Sequence, residues 1–297
     1  MRISTRQIHD QGVDALLRQQ MQLARTQMQI ASGRRILSPG DDPAGTGRAL
    51  AARGNVARLE QYQRNAGQAE SRLQFEETAL QEITDVLQRA RELAVQGMND
   101  GLSAGDRSAI ADEVSGLLDS LLSLANTQDG SGDYLFAGSL ATSPPFVDLG
   151  SGQYAYQGDQ GQRLLQIGPT RQVATGDPGD ELFLGLGEAG EDMFAILYGL
   201  AADLRADSPD DASIRNIDRA MDSVLATQAK VGARLNAIAS QTAVNEDLLL
   251  QAEDMRSAAE DVDLAEASAR LNLELVQLQA SQQSFVQIQN LSLFRLL

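Results

Sequence analysis

The 297-residue chain has no cysteine and no tryptophan, one histidine, seven prolines and only 4% aromatic residues. Each scarcity removes a class of chemistry. Without cysteine there is no disulfide, no thiolate nucleophile and no sulfur-ligated metal. With His9 as the sole imidazole, a transition-metal cluster lacks the groups it needs, and the only base for a histidine-dependent nucleophile lies near the N-terminus of the pairing arm. No stretch approaches the ~18 apolar residues of a membrane span. The opening residues lack the apolar run of a cleavable secretory signal. Positive charge is also short: the net charge is −17. A duplex nucleic acid needs a basic face to displace its counterions, so it is a poor partner here. With few rings available, Leu, Ile, Val and Ala must fill the interior, which suits thin helical bundles.

What is abundant is heptad spacing. From Ala233 to Leu297 there is no glycine and no proline, the two residues that most often end a helix. Leu264, Leu271, Leu278 and Phe285 recur at seven-residue spacing, with Leu275 and Val276 beside them. This predicts a coiled-coil seam on one long helix, ~100 Å if unbroken. At the other end, Leu16/Leu17, Leu23/Ala24 and Ile30/Ala31 repeat at the same interval. The first 40 residues carry six Arg against Asp10 and Asp14, whereas residues 233–297 carry four Arg against nine acids. Opposite charge and matching stripes predict that the two ends pair. The alternative is two ordinary amphipathic core helices.

The N-terminal helix should stop near Gly33, with Arg34 and Arg35 facing its negative end. Ser38-Pro39-Gly40-Asp41-Asp42-Pro43 reads as a turn, with Asp42 as N-cap and Pro43 as first helical residue. Leu59, Ala66, Leu73, Leu80, Leu87 and Ala94, with Tyr62, Ala69, Ile83 and Ala90 as companions, predict a second long helix ending around residues 97–101. Ser103 and Asp106 form a capping box that opens a third helix, ending near Asn126. Residues 131–190 hold 12 of the 26 glycines and four of the seven prolines. Six short runs there predict strands: those at Tyr134, Pro145, Tyr154, Leu164, Gln172 and Glu181. Helix resumes near Glu191 and breaks at Ser208-Pro209. Ile214, Ile217, Met221, Val224, Val231, Leu235 and Ile238 then mark a last bundle helix, interrupted at Gln228.

The expected fold is mainly α with a small β insertion. Terminal coiled-coil arms span 1–40 plus 255–297, an antiparallel helical bundle spans 41–130 plus 191–254, and an inserted antiparallel β domain spans 131–190. The assembly seam comprises Leu16, Leu17, Leu23, Ile30, Leu264, Leu271, Leu275, Leu278 and Phe285.

Fragments that look catalytic have simpler readings. Gly101-Leu-Ser103-Ala-Gly105 matches a nucleophile elbow, but a helix rather than a strand precedes it. Gly185-Leu-Gly187-Glu-Ala-Gly190 matches a dinucleotide fingerprint, yet no second parallel strand follows within a βαβ length. Asp41-Asp42 and Asp210-Asp211 each precede a helix and read as caps rather than cation ligands. Asn290-Leu-Ser292 has the form of a glycosylation sequon but lies on a helical seam. No catalytic, cofactor or metal residue is expected. Paired sticky ends without an active site describe an assembly subunit.

Ile30-Ala-Ser-Gly-Arg-Arg-Ile-Leu-Ser-Pro-Gly-Asp-Asp-Pro-Ala-Gly45 resembles the N-terminal signature of bacterial flagellins and their hook-associated relatives. Leu87-Gln-Arg-Ala-Arg-Glu-Leu-Ala-Val-Gln96, Asp106-Arg107 and Tyr134-Leu-Phe-Ala-Gly138 continue the likeness. So do Val231-Gly-Ala-Arg-Leu-Asn236 and Ala258-Ala-Glu-Asp-Val-Asp263, so the motifs cover about three quarters of the chain in order. The inserted part, with Ser143-Pro-Pro-Phe146, Tyr156-Gln-Gly-Asp159 and Asp177-Pro-Gly-Asp-Glu-Leu-Phe183, is similar to the hook–filament junction branch. Pro39, Pro43 and the 293–297 tail depart from the filament pattern. The resemblance implies a secreted structural subunit of the flagellum, sent out by type III export. The implied partners are hook-associated protein 1, flagellin, further copies of the chain in a ring, and an export chaperone on the C-terminal helix. A filament flagellin is the alternative, and a nucleotide-binding enzyme using the Gly185–Gly190 loop a remote one.

Overall fold

The computed structural model describes the backbone of residues 2–294, with side chains described for Gln7 and from 9 to 287. In chain order the elements are α1 (Arg2–Ser32), α2 (Pro43–Gly97), α3 (Ala104–Ala125), β1 (Phe146–Gly150), β2 (Gln153–Tyr156), β3 (Leu164–Gln166), β4 (Gln172–Ala174), α4 (Gly179–Phe183), α5 (Met193–Arg205), α6 (Asp211–Glu260) and α7 (Leu264–Phe294). The fold is mainly α with a small antiparallel β insertion. It divides into two units, Met1–Arg58 with Leu248–Leu297, and Leu59–Asp247.

In the larger unit the heptad residues of α2 turn inward. Ala66, Leu73, Leu80, Leu87 and Ala94 are buried, as are Ala69, Ile83 and Ala90. On α6, Ile217, Val224, Val231 and Ile238 join the same core. Gln228, which interrupts that stripe, donates from Nε2 to Thr84 Oγ1 of α2 at 3.2 Å, so the polar step is satisfied inside the bundle. Helix α3 starts where its capping box requires: Asp106 N–H donates to Ser103 Oγ, and Ser103 N–H donates to the Asp106 carboxylate. Helix α5 is capped by Asp192, whose Oδ1 accepts from Ala195 N–H at 2.6 Å. Gly97, the last residue of α2, makes room for Leu204 of α5, whose Cδ2 lies 2.3 Å from where a Cβ would stand. Arg107, 8% exposed, closes that end: its guanidinium donates to the carbonyls of Gly97 and Asn99 and pairs with Asp207.

The inserted segment departs from expectation in two ways. It holds two separate antiparallel hairpins, β1–β2 and β3–β4. Tyr134 makes only an isolated bridge with Gln128, and the run at Glu181 is the short helix α4. Pro178 sets up that helix start, and Asp180 and Glu181 occupy its first turn, where acids suit the dipole. Second, the segment has no core of its own. Leu135, Phe136, Phe146, Ile167, Val173, Leu182 and Phe183 belong to the same buried cluster as the helices. The scarce aromatics collect there. Phe183 lies 4.9 Å from Phe146 and stacks on Phe194 of α5 at 5.5 Å, and Phe146 lies 5.1 Å from Tyr156. Short strands bury little apolar area, and large rings compensate for that.

In the smaller unit the single long C-terminal helix divides at 261–263, between α6 and α7. No glycine or proline stands there. The stop comes from the chain segment after α1, where Gly33 takes φ +70 and turns the backbone out of the helix. Arg35 N–H then donates to Glu260 O at 2.7 Å, and Val262 N–H donates to Gly33 O at 3.0 Å. Asp263 restarts the helix, its Oδ1 accepting from Ala265 and Glu266 N–H. Arg34 forms an antiparallel backbone bridge with Asp261, and the Arg35 guanidinium donates to Ala259 O, so the Arg35 charge serves the end of α6 rather than that of α1.

Candidate functional site

Helices α1 and α7 lie antiparallel, since Gly12 sits against Phe285 at one end and Arg34 bridges Asp261 at the other. Phe285 also lies 5.3 Å from the His9 ring. The face of α1 turned inward runs Leu16, Gln19, Leu23, Thr26 and Ile30, at alternating steps of three and four. The matching face of α7 runs Ala267, Leu271, Glu274, Leu278, Ser281 and Phe285. Every one of these positions is buried or half-buried. The two faces are thus heptad seams in which apolar and polar residues alternate.

This seam is weak by construction. Among the described residues, Gln19 Oε1 and Glu274 Oε2 are buried without a hydrogen-bond partner. Each such atom costs about 1–3 kcal/mol. An isolated pair of helices closed by so narrow a seam has little margin over its ordering entropy.

Of the nine expected seam residues, Leu16, Leu23, Ile30, Leu271, Leu278 and Phe285 lie on these facing stripes. Leu17, Leu264 and Leu275 lie outside them, 50%, 55% and 44% exposed. Leu17 belongs to a second stripe, and α7 carries a second one of its own. On α1, Leu17, Met21, Ala24 and Met28 follow heptad steps and are all exposed; on α7, Ala269, Leu273, Val276 and Ala280 do the same. The unit formed by residues 1–58 and 248–297 is little more than a third of the chain. It nevertheless carries 13 of the 21 exposed large apolar side chains among the described residues. An apolar excess of that kind marks a surface that is completed by other molecules.

Polar side chains outside the expected seam hold this unit together. Glu260, 4% exposed, takes an ion pair from Arg53 of α2 and lies 3.9 Å from Arg256. Gln29 donates to Arg35 O at 2.6 Å. Asp41 accepts from the Leu37 and Ser38 amides and pairs with Arg25 at 3.0 Å. The Ser38 amide, with help from Arg25, holds its carboxyl below the usual range. The signal for Glu260 was its place in the Ala258–Asp263 motif; Thr26 and Gln29 carried none.

The fragments with a catalytic look are occupied structurally. Ser103 is the cap of α3. The Gly185–Gly190 loop follows α4, with no strand leading into it. Leu186 and Gly187 N–H donate to Glu191 O, and Glu188 pairs with Arg215 and Arg219. Asp42 Oδ1 accepts from Gly45 N–H at 2.8 Å and Asp210 Oδ1 from Ala212 N–H at 3.1 Å, both as caps. No group of three or more His, Asp or Glu could hold a metal, and no helix is long and apolar enough to cross a membrane, among the described residues. The side chains of Asn290-Leu-Ser292 and of the 293–297 tail lie outside the described residues.

Known proteins match both ends of this arrangement. The bacterial flagellin N-terminal helical region matches residues 3–141, and the C-terminal helical region matches residues 214–297. Flagellar hook-associated protein 3 of Escherichia coli K12 is 30% identical over 318 aligned positions, covering 100% of this chain and 99% of that protein. A flagellin of Bacillus subtilis is 32% identical, covering 87% of this chain and 86% of that protein. In structure, the flagellar junction protein of Legionella pneumophila superposes with a TM-score of 0.62 at 21% identity, covering 72% of this chain and all of that one. With both of its helical ends matched and a full-length relative at that identity, the chain belongs to the bacterial flagellin family, alongside that family's hook-associated protein 3 members.

Proposed function

We propose that this chain is the hook–filament junction subunit of a bacterial flagellum, a structural adaptor with no catalytic role. The observation that carries the reading is that likeness to hook-associated protein 3 runs the whole length of the chain. It includes residues 142–213, which fall between the two flagellin-region matches. The exposed stripes of α1 and α7 supply the means of assembly, because they offer apolar surface at coiled-coil spacing to further helices. In this reading copies of the chain form a ring between hook-associated protein 1 and flagellin. Leu16, Leu17, Leu23, Ile30, Leu264, Leu271, Leu275, Leu278 and Phe285 work as seam residues, the inner ones within the subunit and Leu17, Leu264 and Leu275 toward neighbours. The subunit leaves the cell by the flagellar type III route, with a chaperone shielding α7 beforehand.

Immuno-electron microscopy of intact flagella tests this. One narrow band of label at the hook–filament boundary is the expected result. Label along the filament would overturn it in favour of a filament flagellin.

A further inference from the structure

The heptad of α2 that runs through Tyr62, Ala69, Ile83 and Ala90 has an acid at its middle step, Glu76. It is 1% exposed. Its Oε1 accepts from Asp177 N–H at 3.0 Å, at the point where the inserted segment meets α2. Its Oε2 accepts nothing among the described residues. Neither of the arginines nearby makes an ion pair with Glu76. Arg72 of α2 pairs with Asp129 and donates to Tyr134 O. Arg234 of α6 donates from Nη2 to both carboxylate oxygens of Asp177 at 2.6 Å, and its Nη1, though buried without a partner, does not come within ion-pair distance of Glu76. Asp133 lies 3.4 Å from Arg163 and 3.9 Å from Arg72. The cluster therefore sets four acids, Glu76, Asp177, Asp129 and Asp133, against three arginines, Arg72, Arg234 and Arg163. One acid is in excess, and the most deeply buried one has no cation within ion-pair distance. A carboxylate in that position costs far more than a neutral acid.

We propose that Glu76 is a proton-dependent latch: it stays protonated near neutral pH, and loss of that proton loosens the inserted segment from α2 and α6. Burial, and then the negative charge of Asp177, push its titration up to about 8, against the opposing pull of Arg234 and Arg72. The unfolded chain releases the same proton in the ordinary carboxylate range. Between those limits the folded state holds a proton that the unfolded state lacks. The latch's contribution is complete below the ordinary carboxylate pKa, shrinks as pH rises, and is gone once pH has passed about 8.

The test compares the full chain with Glu76→Gln, whose amide oxygen can still accept from Asp177 N–H. Relative to the variant, the wild type should lose about 3–5 °C of melting temperature per pH unit between pH ~5 and ~8. Amide exchange at residues 175–179, corrected for the intrinsic pH dependence, should rise in the wild type across pH 7–9 and stay level in the variant. Parallel melting curves, or a variant less stable than the wild type at pH 9, would overturn the latch. If the variant does not fold, infrared spectra of wild type carrying 13C-labelled glutamate decide. A protonated carboxyl band at pH 7 that vanishes by pH 9.5 supports the proposal, and its absence at pH 7 refutes it.

Discussion

Leu273 stands on the outer stripe of α7, 58% exposed. Replacing it with aspartate separates the folding of the subunit from its assembly. In the free chain the side chain touches little, so the change should stay within about 0.5 kcal/mol. That corresponds to less than about 2 °C in melting temperature. In the ring proposed above, the still-exposed part of the leucine would become buried. Full burial of a leucine contributes about 1.5–3 kcal/mol, so this share is roughly 1–2 kcal/mol. An aspartate must in addition be desolvated there, at a further cost of about 2 kcal/mol or more. Together these exceed ~3 kcal/mol at each contact, a loss of more than about 100-fold in affinity. The assay has two arms. Differential scanning calorimetry of the purified chain should show no shift, and cells carrying the variant as their only copy should lack attached filaments and shed flagellin. Normal filaments would show that this stripe docks nothing. A fall of more than about 5 °C in the free chain would show that the stripe is already packed within the subunit.

Phe183 is fully buried among Phe136, Phe146 and Phe194. Phe183→Ala should cost about 3–5 kcal/mol and lower the melting temperature by roughly 10 °C, with loss of the near-ultraviolet aromatic signal. Asp263→Ala removes the cap of α7 and should cost about 1 kcal/mol, read as faster amide exchange at Ala265 and Glu266 while α3 stays protected. The Ser103 hydroxyl, with the Ser103 amide, holds the Asp106 carboxyl below the ordinary range. A depressed acid stabilises above its unfolded pKa and loses that effect as pH falls through its folded one. The first turn of α3 should therefore fray on acidification in the wild type, and Ser103→Ala should bring the Asp106 titration, followed by NMR, back toward the ordinary value.

Local signals in the sequence were decisive where the chain itself supplies the partner. Ser103 and Asp106 cap each other, and Asp42 with Pro43 starts α2, so those boundaries could be read without a structure. The α2 stripe was equally legible, because one face of one helix is enough to bury it. Elements that depend on a distant segment could not be read this way. The stop at 261–263 is made by backbone bonds from Gly33 and Arg35, some 230 residues earlier in the chain. On α7 two apolar stripes interleave, and seven-residue spacing alone does not say which one faces α1. Leu271, Leu278 and Phe285 do, whereas Leu275 belongs outside. The Glu181 run has strand composition but folds as a turn of helix, because Pro178 fixes its entry and Leu182 and Phe183 both find the same core. Glu76 stands at the step the companion heptad skips, and only the structure shows that it makes no ion pair with Arg72 or Arg234.

The crossing at Gly33 and Val262 also decides where the smaller unit can yield. A helix resists bending because each turn is tied to the next, and curving it strains those ties. Here the chain has two interruptions, one after α1 and one before α7, brought to the same level and fastened to each other by two backbone bonds, with the Arg53–Glu260 pair tying α2 to the end of α6. Curvature applied at that level breaks no helical bond in either chain segment, while the fastening keeps the two from sliding past one another. Such a crossing is expected to act like a universal joint, yielding to tilt and resisting pull. On the proposed function, a subunit set between hook and filament would use that crossing to tilt without lengthening.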